Sequence, residues 1–124
     1  MSGISTAVFR RTDERGTLVE VLNTGQWGAV LYGEMRRGAV MGNHFHRRTE
    51  VYVFLVRGQA RVTAVNVDTG ARSESMLATG EGVHLPVNES HALRFLEDSM
   101  FIMLKSLPFD PGDPDTFSHP VDPP

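Results

Sequence analysis

The stretch Gly38–Gly58, GAVMGNHFHRRTEVYVFLVRG, decides the reading of this chain. His44 and His46 are two residues apart, so on a β-strand their side chains leave the same face. Glu50 keeps that parity, just beyond the polar Arg47-Arg48-Thr49, which suits a turn or bend. Two imidazoles and a carboxylate on one face form a donor set for Fe(II), Mn(II), Zn(II) or Ni(II). Val51 to Val56 is an almost unbroken apolar run, which predicts a strand covered on both faces.

Outward from this stretch, turn signals recur at intervals of about 8–12 residues. Asp13-Glu14-Arg15-Gly16, Asn23-Thr24-Gly25, Arg57-Gly58-Gln59, Asp68-Thr69-Gly70 and Glu97-Asp98-Ser99 are among them. They separate predicted strands at 17–22, 27–35, 41–45, 51–56, 60–67, 72–77, 83–87, 91–96 and 100–107, with residues 1–12 as an arm or edge strand. No segment keeps a helical period beyond two turns, and there is no internal repeat. The expectation is an all-β antiparallel sandwich or barrel. With 124 residues, 40% of them hydrophobic, one core and one domain suffice. That domain is placed at 1–107. Residues 108–124 hold every proline except Pro86. Proline lacks the ladder donor, so this tail is not a central strand. Phe109 and Phe117 are expected to pin it onto the domain or a partner subunit.

A net charge of −3 argues against nucleic acid and anionic membranes as partners and leaves a small molecule. The arginine pairs at 10–11, 36–37 and 47–48 are scattered, as on a solvated surface. Absence of cysteine excludes disulfides and thiolate-ligated metal. No signal-like stretch opens the chain and no apolar run could span a bilayer, so a cytoplasmic protein is expected. A homodimer is expected as well. One small sandwich covers one face of each sheet better than the other, and both Val51–Val56 and Met100–Leu104 are apolar on two sides.

A fourth metal ligand should come from a neighbouring strand, and His91 fits. It follows Gly80, Pro86 and Asn88 at turn spacing, and Asn tolerates positive φ better than other non-glycine residues. At this point the chain resembles the cupin superfamily. Gly38, His44, His46 and Glu50 match its first motif, with Gly58 one residue beyond the usual position. Gly80, Pro86 and His91 match its second, which usually has glycine where Asn88 stands and asparagine where Phe95 stands. The resemblance implies a jelly-roll barrel with one divalent metal (Zn, Fe, Mn or Ni) held by His44, His46, Glu50 and His91. A narrower resemblance rests on DERGTLVEVL, Gly25-Gln26, GNHFH with Glu50, and FDPGDPDTF. It is to the cupin module of nucleotide-sugar epimerases, including the C-terminal domain of bifunctional capsular-polysaccharide enzymes.

Other residues carry weaker signals. His84 precedes Pro86 and is the natural proton shuttle; Tyr52 shares the parity of Glu50. Both are catalytic candidates expected to point into the barrel, with Phe54 and Val56 as lining of the same row. Arg36, Arg61 and Arg94 are candidates for binding a substrate diphosphate, because a guanidinium matches phosphate oxygens. The methionines are expected to fill gaps in the core. His119 has no spacing partner and is expected in solvent. The leading functional expectation is an epimerase or isomerase of a nucleotide-linked keto-sugar in polysaccharide or natural-product biosynthesis. The alternatives are an Fe(II) non-haem oxygenase and a non-catalytic module that binds a small ligand.

Overall fold

The computed structural model describes residues 3–124. Twelve strands are present: β1 (Gly3–Thr6), β2 (Phe9–Asp13), β3 (Gly16–Glu20), β4 (Ala29–Met35), β5 (Val40–Phe45), β6 (Val51–Arg57), β7 (Gln59–Asn66), β8 (Arg72–Ala78), β9 (Glu81–Leu85), β10 (Glu89–Phe95), β11 (Ser99–Lys105) and β12 (Phe117–Ser118). All pairings are antiparallel, and the described residues contain no helix. One sheet has the order β1-β9-β6-β11-β4 and the other β12-β5-β10-β7-β8; β2 and β3 form a separate ribbon.

The two sheets face each other across one core. Alternate residues of each strand supply it: Val51, Val53 and Leu55 from β6, Val83 and Leu85 from β9, Ala60 and Val62 from β7, Leu93 and Phe95 from β10. Phe95 and Phe101 stack between the sheets with ring centres 5.8 Å apart. Each fully buried side chain of this size contributes about 1.5–3 kcal/mol. Truncating one, as in Leu55→Ala, costs about 2–5 kcal/mol because the walls close only partly. Met35, Met41 and Met103 pack on this core, whereas Met76 is exposed.

The parity of β6 differs from expectation. Val51, Val53 and Leu55 face inward, so Tyr52, Phe54 and Val56 leave the outer face. The ribbon explains how an apolar run exists on that side. Arg10, Thr17 and Val19 lie against Phe54, Val56 and Ile102 around a shallow cavity. Val51 to Leu55 are buried within one chain, so they do not call for a second subunit. Among the exposed apolar residues, Val30 (72% exposed), Leu31 and Tyr32 (63%) are consecutive on the edge strand β4.

Two bulges set the phase near the site. In β5, Gly42 (φ 108°) and Asn43 (φ 62°) take left-handed conformations. The register shifts there, from Ala92↔Gly42 to His91↔His44. Met41 and His44, three residues apart, therefore both face the interior. Gly42 has no alternative, because a Cβ there would lie 2.5 Å from the His91 carbonyl. In β6, Leu55 and Arg57 oppose the adjacent Phe101 and Met100, so Val56 is the extra residue. That bulge absorbs the one-residue delay of Gly58. Asn88 has φ 59°, as its place in the second motif required.

The proline-rich tail is built into the second sheet. β12 pairs with β5, and Phe117 stacks on Phe45 at 5.3 Å with the Arg47 guanidinium over its ring. Phe109 stays exposed. Asn43 uses its side-chain oxygen to accept the Val121 and Asp122 N–H groups. His119 is half-buried rather than in solvent. Its ring meets Phe45 edge-on, and its carbonyl accepts the Ser90 hydroxyl.

Candidate active site in the barrel

Two strands bring three imidazoles together inside the barrel. His44 is the last residue but one of β5, His46 lies just beyond the strand's end, and His91 lies on β10 directly opposite His44. One ring nitrogen of each lies within 4.8 Å of the others. Two of the rings are oriented by main-chain carbonyls. His46 Nδ1 donates to the Asp115 carbonyl at 2.6 Å, and His91 Nδ1 to the Glu89 carbonyl at 3.3 Å. A protonated Nδ1 leaves Nε2 with its lone pair directed to the shared space. Burial, followed by the fields of His46 and Lys105, lowers the pKa of His44 to about 4. Burial, with the fields of His44 and His46, takes His91 to about 3, although its carbonyl contact opposes the shift. Both are therefore neutral at pH 7.

The cavity around them measures about 240 Å³ and is walled by Met41, Val51, Leu85, Leu93 and Met103, with Lys105 and Thr116 at one side. A second space of about 390 Å³ shares His46, Lys105 and Thr116 and is bounded by the tail from Leu107 to Asp115. Asp115 fixes this boundary. Its carboxylate accepts the N–H groups of Arg47, Arg48 and Thr49 and the Thr49 hydroxyl, all at 2.8–2.9 Å. Burial alone would raise its pKa, but these four donors hold it at about 2.

Glu50 does not join the imidazoles. It is in phase with Tyr52, and so leaves the outer face of the first sheet. There its Oε2 meets His84 Nε2 at 2.6 Å. His84 is opposite Tyr52 in the register, with Val83 and Leu85 facing the core. The three line a separate cavity with Trp27.

A family model described as the polysaccharide biosynthesis C-terminal domain matches residues 11–117. The chain belongs to this family. The UDP-2-acetamido-2,6-beta-L-arabino-hexul-4-ose reductase of Pseudomonas aeruginosa is 30% identical over 112 residues, 86% of this chain and 30% of its own length. The capsular polysaccharide assembling protein CapF of Staphylococcus aureus is 27% identical with a TM-score of 0.72, over 91% of this chain and 34% of CapF. The chain thus spans about a third of the length of these two relatives. ChmJ, a 3′-monoepimerase from Streptomyces bikiniensis solved with dTDP-quinovose, superposes at TM-score 0.80 and 20% identity, over 98% of this chain and 70% of ChmJ. At that identity the likeness is one of fold. The fold is the cupin jelly roll.

Within the family fold, several expected site residues are placed differently. The expected four-ligand set becomes three imidazoles, because Glu50 turns outward. His84 and Tyr52 lie on the far side of the first sheet and cannot reach a molecule bound at the imidazoles. Arg61 and Arg94 leave the outer face of the second sheet, where both bind Asp122 at 3.0–3.1 Å. Both guanidinium groups are thus engaged by a carboxylate of the chain itself. Arg36 is exposed in the turn before β5, at the opposite end of that strand from His44. Lys105 was missed. It is the one cation beside the imidazoles in the inner cavity, and its only signal is being the single lysine among twelve basic residues.

Proposed function

We propose that this chain is an epimerase or isomerase module that acts on a nucleotide-linked keto-sugar bound at His44, His46 and His91. The observation that supports it is the convergence of three imidazoles, His46 and His91 buried and tautomer-fixed with Nε2 inward and His44 half-buried, beside an ammonium group. The sugar-nucleotide names of the relatives agree with this reading.

A neutral imidazole is a competent base for a carbon acid next to a carbonyl. It takes the α-proton, and the C–H electron pair moves to the carbonyl oxygen as an enolate. Lys105 supplies positive charge beside that oxygen. Return of a proton to the opposite face of the carbon inverts it; return to the neighbouring carbon isomerises the sugar. The apolar wall keeps bulk water from the carbanion. The adjoining space bounded by Lys105 and the tail leaves room for the rest of the substrate.

The same three imidazoles fit a divalent metal, since three histidines with an open position are an established catalytic donor set. Such an ion would polarise the carbonyl as a Lewis acid when bound. The test is proton NMR in D2O with UDP- and dTDP-4-keto-6-deoxy sugars, with and without chelator. Exchange at an α-carbon that survives chelation assigns the proton transfer to the imidazoles. Exchange lost on chelation and restored by one ion assigns them a ligand role. No exchange with any keto-sugar under either condition rejects the proposal.

We also propose a homodimer built on the exposed edge strand β4, where Val30 and Tyr32 lie outside the core. Light scattering giving a mass of about 14 kDa at micromolar concentration would reject it. No helix of the described residues is long and apolar enough to cross a membrane.

A further inference from the structure

We infer that the cavity on the outer face of the first sheet is a second ligand site, and that it takes an uncharged sugar ring. The cavity measures about 340 Å³, within the size range of small-molecule sites. It lies behind β6 and β9 and shares no residue with the imidazole cavity.

Its wall is built rather than accidental. The Trp27 indole is locked by its Nε1–H, which donates to the Thr24 carbonyl at 2.8 Å, and it packs against Gly25, where a Cβ would approach the ring to 2.9 Å. A fixed aromatic face is the apolar platform onto which the C–H face of a pyranose packs. Opposite it stand Glu50 and His84, joined at 2.6 Å. Glu50 is held at its main chain in both directions. Its N–H donates to the Ser106 hydroxyl, and its carbonyl accepts the Ser106 N–H. The free oxygen of this carboxylate accepts hydroxyl donors.

A second, independent observation is Tyr52. It is 3% exposed, and its hydroxyl has no hydrogen-bond partner among the described residues. The ring lies over Gly82, where a Cβ would overlap that hydroxyl. Tyr52 lines this cavity, and its unpartnered buried hydroxyl is satisfied only when a hydrogen-bonding group moves in beside it. A polyol supplies such a group. The lining disfavours a phosphorylated ligand. No lysine or arginine lines this cavity, and its one carboxylate is Glu50, paired with His84. The imidazole cavity, by contrast, has Lys105 in its wall.

Trp27 is the only tryptophan, so its emission reports on this site alone. The experiment titrates the full chain with methyl glycosides of hexoses, 6-deoxyhexoses and N-acetylhexosamines, with UMP and inorganic phosphate as charged controls. The expected result is a saturable change at millimolar concentration with at least one glycoside and none with the controls. Tyr52→Phe, which keeps the ring and removes the unpaired hydroxyl, should weaken the glycoside response about fivefold or more. His84→Gln should do the same. His91→Ala should leave the Trp27 response intact while abolishing any function of the inner site, which separates this inference from the keto-sugar proposal. No saturable response to any glycoside overturns the inference. So does a response to UMP or phosphate alone, or a glycoside response unchanged in a folded Tyr52→Phe variant.

Discussion

The two faces of the first sheet are finished by opposite ends of the chain. On the inner face, the cavity of His44, His46 and His91 is completed by the tail, which brings the Asp115 carbonyl to His46 and Thr116 to the wall. On the outer face, the cavity of Glu50, Tyr52 and His84 is completed by the N-terminal arm through Ser5 and by the loop carrying Trp27. The inner site is basic and rigidly tied to main-chain carbonyls. The outer one holds a paired carboxylate and imidazole and rests on an aromatic wall. Two chemically different sites can lie on either side of this sheet because the imidazoles reach its inner side from the second sheet, while alternation along β6 and β9 sends Tyr52 and His84 outward. One sheet keeps them apart.

The largest effect that would test this separation belongs to the inner face. His91→Ala should lower α-proton exchange by about 10²–10⁴-fold while leaving Trp27 emission as in wild type. An altered Trp27 spectrum in that variant would mean that the two faces communicate. Next comes the tail. Asp115→Ala removes four hydrogen bonds to a charged group and should cost about 2–3 kcal/mol in urea denaturation. It should also slow exchange, because the Asp115 main-chain carbonyl that orients His46 is no longer held in place by the carboxylate, and again spare the outer face.

The same carboxylate makes a pH prediction. Its folded pKa of about 2 lies below its ordinary 3.8. A depressed carboxylate contributes stability that is full above the unfolded pKa and is lost as pH falls through the folded value. Melting curves from pH 5 down to pH 2 should therefore fall more steeply for wild type than for Asp115→Asn. Parallel curves would show that Asp115 does not govern the acid limb. A smaller effect is expected at Asp122. Asp122→Ala should lower the melting temperature by a few degrees, less in high salt, since its partners Arg61 and Arg94 are partly solvated. The smallest effect has the opposite sign. Tyr52→Phe removes an unpaired buried hydroxyl and should leave stability unchanged or raise it by about 1 kcal/mol. A clear loss in thermal unfolding would reveal a partner for that hydroxyl.

Much of the inner site was legible because its spacing is local. His44 and His46 are two residues apart, and the turn at Asn88 delivers His91 to the strand opposite. The apolar run 51–56 was legible as a strand but not in phase. With no polar residue to mark the outer face, nothing in it distinguishes Val53 from Phe54. That ambiguity carried Glu50, Tyr52 and His84 to the wrong side together. Arg61 and Arg94 failed for another reason. Their partner Asp122 is 61 and 28 residues away, in a segment whose prolines suggest no fixed structure. Lys105 carries no motif. Only the pairing of β11 with β6 and β4 puts it beside the imidazoles.

The anchoring of His46 by Asp115 also fixes an order of events during synthesis. A nascent chain folds as its N-terminal parts emerge, at about 5–20 residues per second. Strands β1 to β11 and all three imidazoles leave the ribosome before Asp115 does. Until then His46 lacks the carbonyl that selects its tautomer, and the turn at 47–49 lacks the carboxylate that ties its three N–H groups. The barrel can close first, but the inner site matures only when the tail lies down on it.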